Sequence, residues 1–204
     1  LSVPFVPPFA LPGGVTMGQV MAQAAGDREY YRLFFQEPGV AEADFEADIR
    51  ESVKGFLYTV SGDIIADGVR TEPFDGYFPK GETMTRQNVV RDTLPGWVTE
   101  EDVDFYTEEL TQSGFRGGLN WYRNIDAIPG ILAPFVGAII HNPLLYLYGE
   151  HDLIAGNTVE AIEMTKRTLP GLRGAVKFDG AGHWLQQERP DGVNRELLKF
   201  LAGW

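Results

Sequence analysis

The sequence contains no cysteine and only three histidines in 204 residues. The absence of cysteine excludes disulfide bonds, thiolate nucleophiles and Cys-ligated metal sites. It also fits a reducing compartment, so we expect a cytoplasmic protein. His141, His151 and His183 do not have the spacing of metal ligands. We therefore expect neither a metal ion nor another cofactor.

Basic residues are scarce as well. There are 17 Lys and Arg residues against 29 acidic residues, which gives a formal net charge of -12. An acidic surface of this kind repels phosphate backbones and anionic lipids, so we expect no nucleic-acid ligand. Long apolar runs are missing too, because Pro129, Gly130 and Pro134 interrupt the stretch 128–140. A membrane helix needs about 18 apolar residues, so we expect no membrane span.

The remaining composition is that of an ordinary globular domain, with 44% hydrophobic and 23% charged residues. The chain begins without a methionine, and Leu1, Val3 and Phe5 resemble the end of a buried strand. We expect them to lie in a parallel sheet beside a later strand. We also expect a longer protein in which a preceding segment supplies the other strands of that sheet.

Helical patterns dominate the first two thirds of the chain. A threonine cap and a closing glycine bound a short helix at 16–26, and the apolar spacing over 40–57 predicts one long helix. Gly and Pro interrupt 58–98, which is typical of a lid or a binding loop. A further capped helix is predicted over 99–114.

The last third has the alternation of an α/β fold. Apolar residues 143–148 predict a strand covered on both faces, and 175–178 predict a second strand. A helix is predicted at 157–169 between them. A final helix begins at Pro190, and its inward face is predicted to carry Val193, Leu197, Leu198 and Leu201. The helical region is therefore interpreted as an insertion before the last strands of a mostly parallel sheet.

Asp152 and His183 each follow one of the two predicted strands. Loops at the carboxyl ends of parallel strands meet at one edge of the sheet, where the carboxylate would orient the imidazole for proton transfer. Gly180 and Gly182 allow a tight turn that presents His183. From spacing alone a second interpretation stays open, in which His183 is an ordinary loop residue and Asp152 caps the following helix.

Four sequence segments carry a family resemblance: 31–39 (YRLFFQEPG), 114–124 (GFRGGLNWYRN), 149–152 (GEHD) and 182–184 (GHW), the last followed by Gln187 and Pro190. The chain resembles the C-terminal two thirds of an α/β-hydrolase-fold epoxide hydrolase over nearly its whole length. The first two segments are specific to that family, and the last two are shared by most α/β hydrolases. The resemblance implies a core strand ending in 1–12, a helical cap at 13–127 and the C-terminal part of the core at 128–204.

The resemblance also implies a mechanism, in which an aspartate attacks the epoxide and water hydrolyses the resulting ester to a vicinal diol. Tyr31 and Tyr122 would hold the epoxide oxygen, as phenol donors can. His183 would activate the water, and Asp152 would orient His183. An apolar epoxide is the expected substrate, and the aromatic residues next to these positions are expected to line its pocket, namely Phe34, Phe35, Trp121 and Trp184.

In that family, the nucleophilic aspartate and the oxyanion-hole segment precede the region that this chain resembles. Asp63, Asp67 and Asp75 lack the strand–turn–helix setting of such a nucleophile. We therefore expect the 204 residues alone to be inactive and to need an N-terminal hydrolase segment as partner. Two alternatives stay open: a capped dehalogenase or esterase of the same fold, and a non-catalytic ligand-binding module. Homo-oligomerisation is not decided by the sequence.

Overall fold

The computed structural model describes residues 11, 13–153, 163, 166 and 169–203. These residues form two compact units. The helical unit lies within Pro8–Thr59 and Gly76–Val136, and the strand unit within Val60–Asp75 and Gly137–Trp204. The predicted strand end at Leu1, Val3 and Phe5 lies outside the described residues, as does most of the predicted helix 157–169.

The helical unit begins with α1 (Met17–Ala25), as predicted from its caps. The Oγ of Thr16 accepts a hydrogen bond from the Gln19 backbone N–H at 3.2 Å, and the Gln19 side chain accepts one from the Thr16 backbone N–H at 3.0 Å. Gly26 ends the helix with φ at +59°, a conformation that favours glycine. This reciprocal cap satisfies two otherwise unpaired backbone donors.

The next part of the helical unit is built from short elements. Strand β1 (Arg28–Tyr30) pairs antiparallel with β2 (Tyr77–Pro79), and α2 (Tyr31–Phe34) follows β1 directly. The rings of Tyr30 and Tyr77 stack across this pair with centroids 4.6 Å apart. Within 58–98, which was predicted to be irregular, the structure also has a 3₁₀ turn at Thr85–Gln87 in this unit and α5 (Asp63–Ala66) in the strand unit.

The prediction of one helix over 40–57 is wrong. The structure has two helices, α3 (Val40–Glu46) and α4 (Ile49–Thr59). Between them, the Asp48 carboxylate accepts a hydrogen bond from the Glu51 backbone N–H at 3.0 Å. An aspartate that bonds to a backbone donor in this way starts a new helix and competes with a continuous one.

The helix predicted over 99–114 is confirmed as α6 (Glu100–Ser113). Thr99 and Asp102 form its capping box, and Gly114 closes it with φ at +65°. Two further helices complete the helical unit, α7 (Arg116–Arg123) and α8 (Ile128–Leu132). None of the helices in the described part of the chain is long and apolar enough to cross a bilayer.

The strand unit contains a parallel pair, β3 (Leu144–Gly149) and β4 (Leu172–Phe178). Both predicted strands are therefore present, and β4 begins three residues earlier than predicted. Two helices follow β4, α9 (Leu185–Glu188) and α10 (Pro190–Ala202). Leu147, Ala181, Leu185 and Val193 form a buried hydrophobic cluster in this unit.

The inward face predicted for α10 is wrong beyond its first turn. Val193 is 3% exposed, whereas Leu197, Leu198 and Leu201 are 36%, 67% and 63% exposed. Successive helical residues advance by about 100°, so Leu198 points about 140° away from Val193. The half-buried Glu196 and Phe200 share the side of Val193 instead. Within the described residues, Val193 is therefore the one of the four that is buried.

Candidate active site

An aspartate–histidine pair lies at the carboxyl end of the parallel strands. The Oδ2 of Asp152 is 3.2 Å from the Nδ1 of His183, and Asp152 is fully buried. A backbone hydrogen bond connects the two loops, in which the His151 N–H donates to the carbonyl of Ala181 at 2.8 Å. The predicted hydrogen-bond distance between Asp152 and His183 is confirmed. A buried carboxylate on Nδ1 leaves Nε2 of the imidazole for proton transfer.

The backbone on both sides of His183 is held by the carboxylate of Glu188. This carboxylate accepts hydrogen bonds from the N–H groups of Gly62, Gly182 and Trp184 at 3.0, 2.8 and 3.0 Å. Glu188 is buried, and this burial raises its pKa above the usual range. Glu188 was not predicted from the sequence, because one of its donors, Gly62, lies 126 residues away.

Close backbone packing explains the glycines of this loop. A Cβ at Gly62 would lie 2.0 Å from the carbonyl oxygen of Gly180, and one at Gly182 would lie 2.4 Å from the Gly62 nitrogen. Gly180 also has φ at +66°. The N–H of His183 donates to the carbonyl of Val60 at 2.9 Å within the same contact. The predicted tight turn is therefore present, and Gly182 is needed for packing as much as for turning.

The two tyrosines singled out from the sequence meet in the helical unit. Tyr31 opens α2 and Tyr122 lies near the end of α7, with ring centroids 5.9 Å apart in an edge-to-face arrangement. Tyr31 is 7% exposed and Tyr122 is 37% exposed. Burial, followed by the neighbouring Tyr31, raises the pKa of Tyr122, so its phenol keeps its proton near neutral pH.

Hydrogen bonds to backbone groups fix both tyrosine segments. The Tyr31 N–H donates to the carbonyl of Gly76 at 2.9 Å. The side-chain amide of Gln36 donates to the carbonyls of Arg32 and Tyr122 at 2.6 and 2.9 Å. Gln36 thus links α2 directly to α7, which accounts for its presence in the 31–39 segment.

An ion pair beside Tyr122 reinforces this link. The guanidinium of Arg123 contacts both carboxylate oxygens of Glu42 at 2.7 Å, and its Nε donates to the carbonyl of Phe35 at 2.9 Å. The hydrogen bonds from Arg123 lower the pKa of Glu42 to about 2. Neither residue was predicted from the sequence. Arg123 lies within the family segment 114–124, and this was the feature of the sequence that could have indicated it.

The comparisons with known proteins agree on one family. Epoxide hydrolase A of Mycobacterium tuberculosis is 34% identical over 203 residues, covering 100% of this chain and 60% of the relative. A solved epoxide hydrolase from an endophytic Streptomyces superposes with a TM-score of 0.88 at 37% identity, covering 99% of this chain and 59% of that one. Over this shared length, the chain is similar to α/β-hydrolase-fold epoxide hydrolases.

Other relatives give the same result. The solved Epoxide Hydrolase A from Mycobacterium thermoresistibile matches with a TM-score of 0.83 at 34% identity, covering 99% of this chain and 60% of that chain. No protein-family model matches the sequence. The chain spans about 60% of the length of these epoxide hydrolases. The resemblance read from the four sequence segments is confirmed.

The aromatic residues predicted to line the epoxide hydrolase pocket have different surroundings. Phe35 is buried against both tyrosines, with centroid distances of 5.4 Å to Tyr31 and 5.0 Å to Tyr122. The Trp184 ring lies 5.2 Å from the His183 ring. Phe34 packs on Phe78 at 5.6 Å, and Trp121 is 82% exposed on α7. Phe35 is thus the aromatic residue packed directly against the tyrosine pair.

Proposed function

We propose that this chain provides the oxygen-binding tyrosines and the water-activating histidine of an epoxide hydrolase. The proposed reaction converts an apolar epoxide and water into a vicinal diol through a covalent ester. The observation that carries this proposal is the convergence of Tyr31 and Tyr122, two phenols from segments far apart in the chain. The two family segments and the similarity to proteins named epoxide hydrolases support the same reaction.

In the first step a carboxylate oxygen attacks an epoxide carbon. A carbon–oxygen bond forms to the carboxylate while the ring carbon–oxygen bond breaks, so negative charge develops on the epoxide oxygen. The hydroxyls of Tyr31 and Tyr122 donate hydrogen bonds to that oxygen and supply its proton. We propose that the attacking carboxylate belongs to a segment outside these 204 residues, as the family resemblance implies.

In the second step His183 takes a proton from water through Nε2. The resulting hydroxide attacks the ester carbonyl, and the bond between the carbonyl carbon and the oxygen of the alkyl group breaks. The His183 imidazolium returns its proton to the departing oxygen, which leaves as the diol, and the carboxylic acid loses its proton to solvent to regenerate the carboxylate. The contact between Asp152 and Nδ1 selects the tautomer with a basic Nε2 and stabilises the imidazolium that forms. The tautomer is assigned from this hydrogen-bond partner.

The packing around the tyrosines supports an apolar substrate. Phe35 covers the edge of both rings, and Phe45 packs behind it with centroids 5.7 Å apart. An aromatic surface with two neighbouring phenols suits a neutral molecule that carries one acceptor oxygen. A dehalogenase or an esterase has no need of such a pair for its leaving group.

The test uses the full-length protein that contains this sequence, with styrene oxide as substrate. We expect diol formation by the wild type. In His183→Gln we expect a covalent adduct of one substrate mass per chain, and diol release slowed by about 100-fold or more. Peptide mapping should place the adduct outside the 204 residues. His141→Gln is the matched control, because His141 is exposed.

Three results would count against the proposal. Normal turnover by His183→Gln would remove the histidine from the ester hydrolysis. Halide release from a haloalkane without epoxide consumption would favour the dehalogenase alternative. A wild-type protein that binds styrene oxide but never consumes it would favour a non-catalytic binding module.

A further inference from the structure

Arg32, the residue after Tyr31, contacts the reactive atom of that tyrosine. Its Nε donates a hydrogen bond to the Tyr31 phenolic oxygen at 2.8 Å. The guanidinium carbon lies 5.5 Å from the centroid of the Tyr31 ring. Arg32 is half-buried on α2, and its carbonyl is held by the Gln36 side chain. Its guanidinium is therefore directed at the phenol by a fixed stretch of backbone.

In the described part of the chain, the titratable groups that interact with the Arg32 guanidinium are tyrosine hydroxyls, not carboxylates. Within the described residues, no carboxylate lies at ion-pair distance from its guanidinium. Burial raises the pKa values of Tyr30 and Tyr122, and the positive charge of Arg32 lowers them in part. A half-buried cation without a carboxylate partner interacts strongly with any negative charge that forms nearby. The Tyr31 oxygen is the closest such position.

Resting on the proposed function, we propose that Arg32 is a positioning residue that makes Tyr31 the proton donor of the tyrosine pair. The guanidinium occupies a lone pair of the Tyr31 oxygen, so the phenolic hydrogen is directed elsewhere, toward a bound oxygen. As the ring carbon–oxygen bond of the epoxide breaks, the Tyr31 proton moves to the epoxide oxygen. The negative charge left on Tyr31 is then paired with Arg32, and a proton from solvent later restores the phenol.

The two tyrosines differ in this respect. Among the described residues, no side chain donates a hydrogen bond to the Tyr122 hydroxyl, whereas Tyr31 receives a charge-assisted one. Such bonds are about twice as strong as those between neutral groups, and they strengthen the donor on the other side of the hydroxyl. Tyr122 thus donates a hydrogen bond to the epoxide oxygen and keeps its proton. The asymmetry predicts that the effect of Arg32 passes through Tyr31 alone.

A double-mutant cycle in the full-length protein tests this route. We expect Arg32→Met to slow single-turnover opening of styrene oxide by about tenfold, and Arg32→Lys to restore part of the rate. The ester hydrolysis rate should not change. In a Tyr31→Phe background Arg32→Met should have no further effect, whereas in a Tyr122→Phe background it should retain its full effect. Arg86→Met removes an exposed cation of the same unit and is the matched control.

Binding of acetanilide gives a second readout that involves no chemistry. Its amide oxygen can accept hydrogen bonds from both phenols. By calorimetry, we expect Arg32→Met to weaken binding by about threefold or more, with an unfolding midpoint close to that of Arg86→Met. Unchanged affinity would overturn the role of Arg32, as would an equal rate loss in the Tyr31→Phe background. If the wild type binds acetanilide but never opens the epoxide, the proposed function is wrong. The affinities of wild type and Arg32→Met for acetanilide would still test the role of Arg32.

Discussion

The guanidinium of Arg123 lies on the carboxylate of Glu42 with both nitrogen–oxygen distances at 2.7 Å. Both side chains are 12% exposed, so the pair is largely shielded from solvent. It joins α7, which carries Tyr122, to the start of α3. The Glu42 carboxylate also accepts the N–H of Gly39 at 2.8 Å, which caps α3. One ion pair therefore supports both a helix start and the position of Tyr122.

Breaking this pair from one side should destabilise the helical unit. We expect Arg123→Met to lower the free energy of unfolding by about 2 kcal/mol, because the Glu42 carboxylate then loses its cationic partner while it remains largely excluded from solvent. Urea denaturation followed by circular dichroism measures this. In Arg86→Met, which breaks an exposed pair with Glu82, the change should stay within about 0.5 kcal/mol. Equal changes in the two variants would contradict the prediction.

The contribution of the Glu42–Arg123 pair should depend on pH in the acid range. The folded pKa of Glu42 is lowered from 4.5 to about 2, so its stabilisation is fully present above the unfolded value and is lost as pH falls through the folded one. The difference in unfolding free energy between wild type and Arg123→Met should therefore be constant from about pH 7 to 5 and shrink below about pH 4. Urea titrations at a series of pH values measure it, and a difference that persists near pH 2 would be inconsistent with the assignment.

Removal of the Glu188 carboxylate should loosen the loop that carries His183. Glu188→Ala leaves three backbone donors without their acceptor, and we expect a loss of at least about 2 kcal/mol of unfolding free energy. The amides of Gly182 and Trp184 should exchange with deuterium faster than in the wild type. Gln186→Ala, on the same short helix and exposed, is the control. Unaltered exchange at both amides would show that Glu188 does not hold the loop.

Loss of either phenolic hydroxyl should slow ring opening and leave ester hydrolysis unaffected. We expect Tyr31→Phe or Tyr122→Phe in the full-length protein to reduce the single-turnover rate of epoxide opening by roughly tenfold to a thousandfold, since each removes a donor to developing charge. Tyr106→Phe changes an exposed tyrosine and should have no effect. Opening rates equal to the wild type in both variants would exclude the tyrosines from the mechanism.

The comparison of sequence and structure shows where local patterns succeed. The caps at Thr16 and Thr99 and the glycines that end their helices were predictable, because each involves partners within four residues. The break at Asp48 was missed, although Asp48 bonds only three residues ahead. The helical spacing of apolar residues continues across Asp48, so the sequence indicated one helix there.

Local patterns in the sequence predicted several helix ends, the two strands and the resemblance to epoxide hydrolases. Apolar runs predicted the two strands, and capping residues predicted α1 and α6. The positions of Asp152 and His183 after the two strands predicted their contact. Local patterns did not predict which side chains hold the candidate site residues in position. The Arg123–Glu42 pair and the contact between Glu188 and the Gly62 amide each join segments that are far apart in the sequence. Charges and donors are common along the chain, so their pairing is set by the packing of the buried surfaces, which no local pattern records.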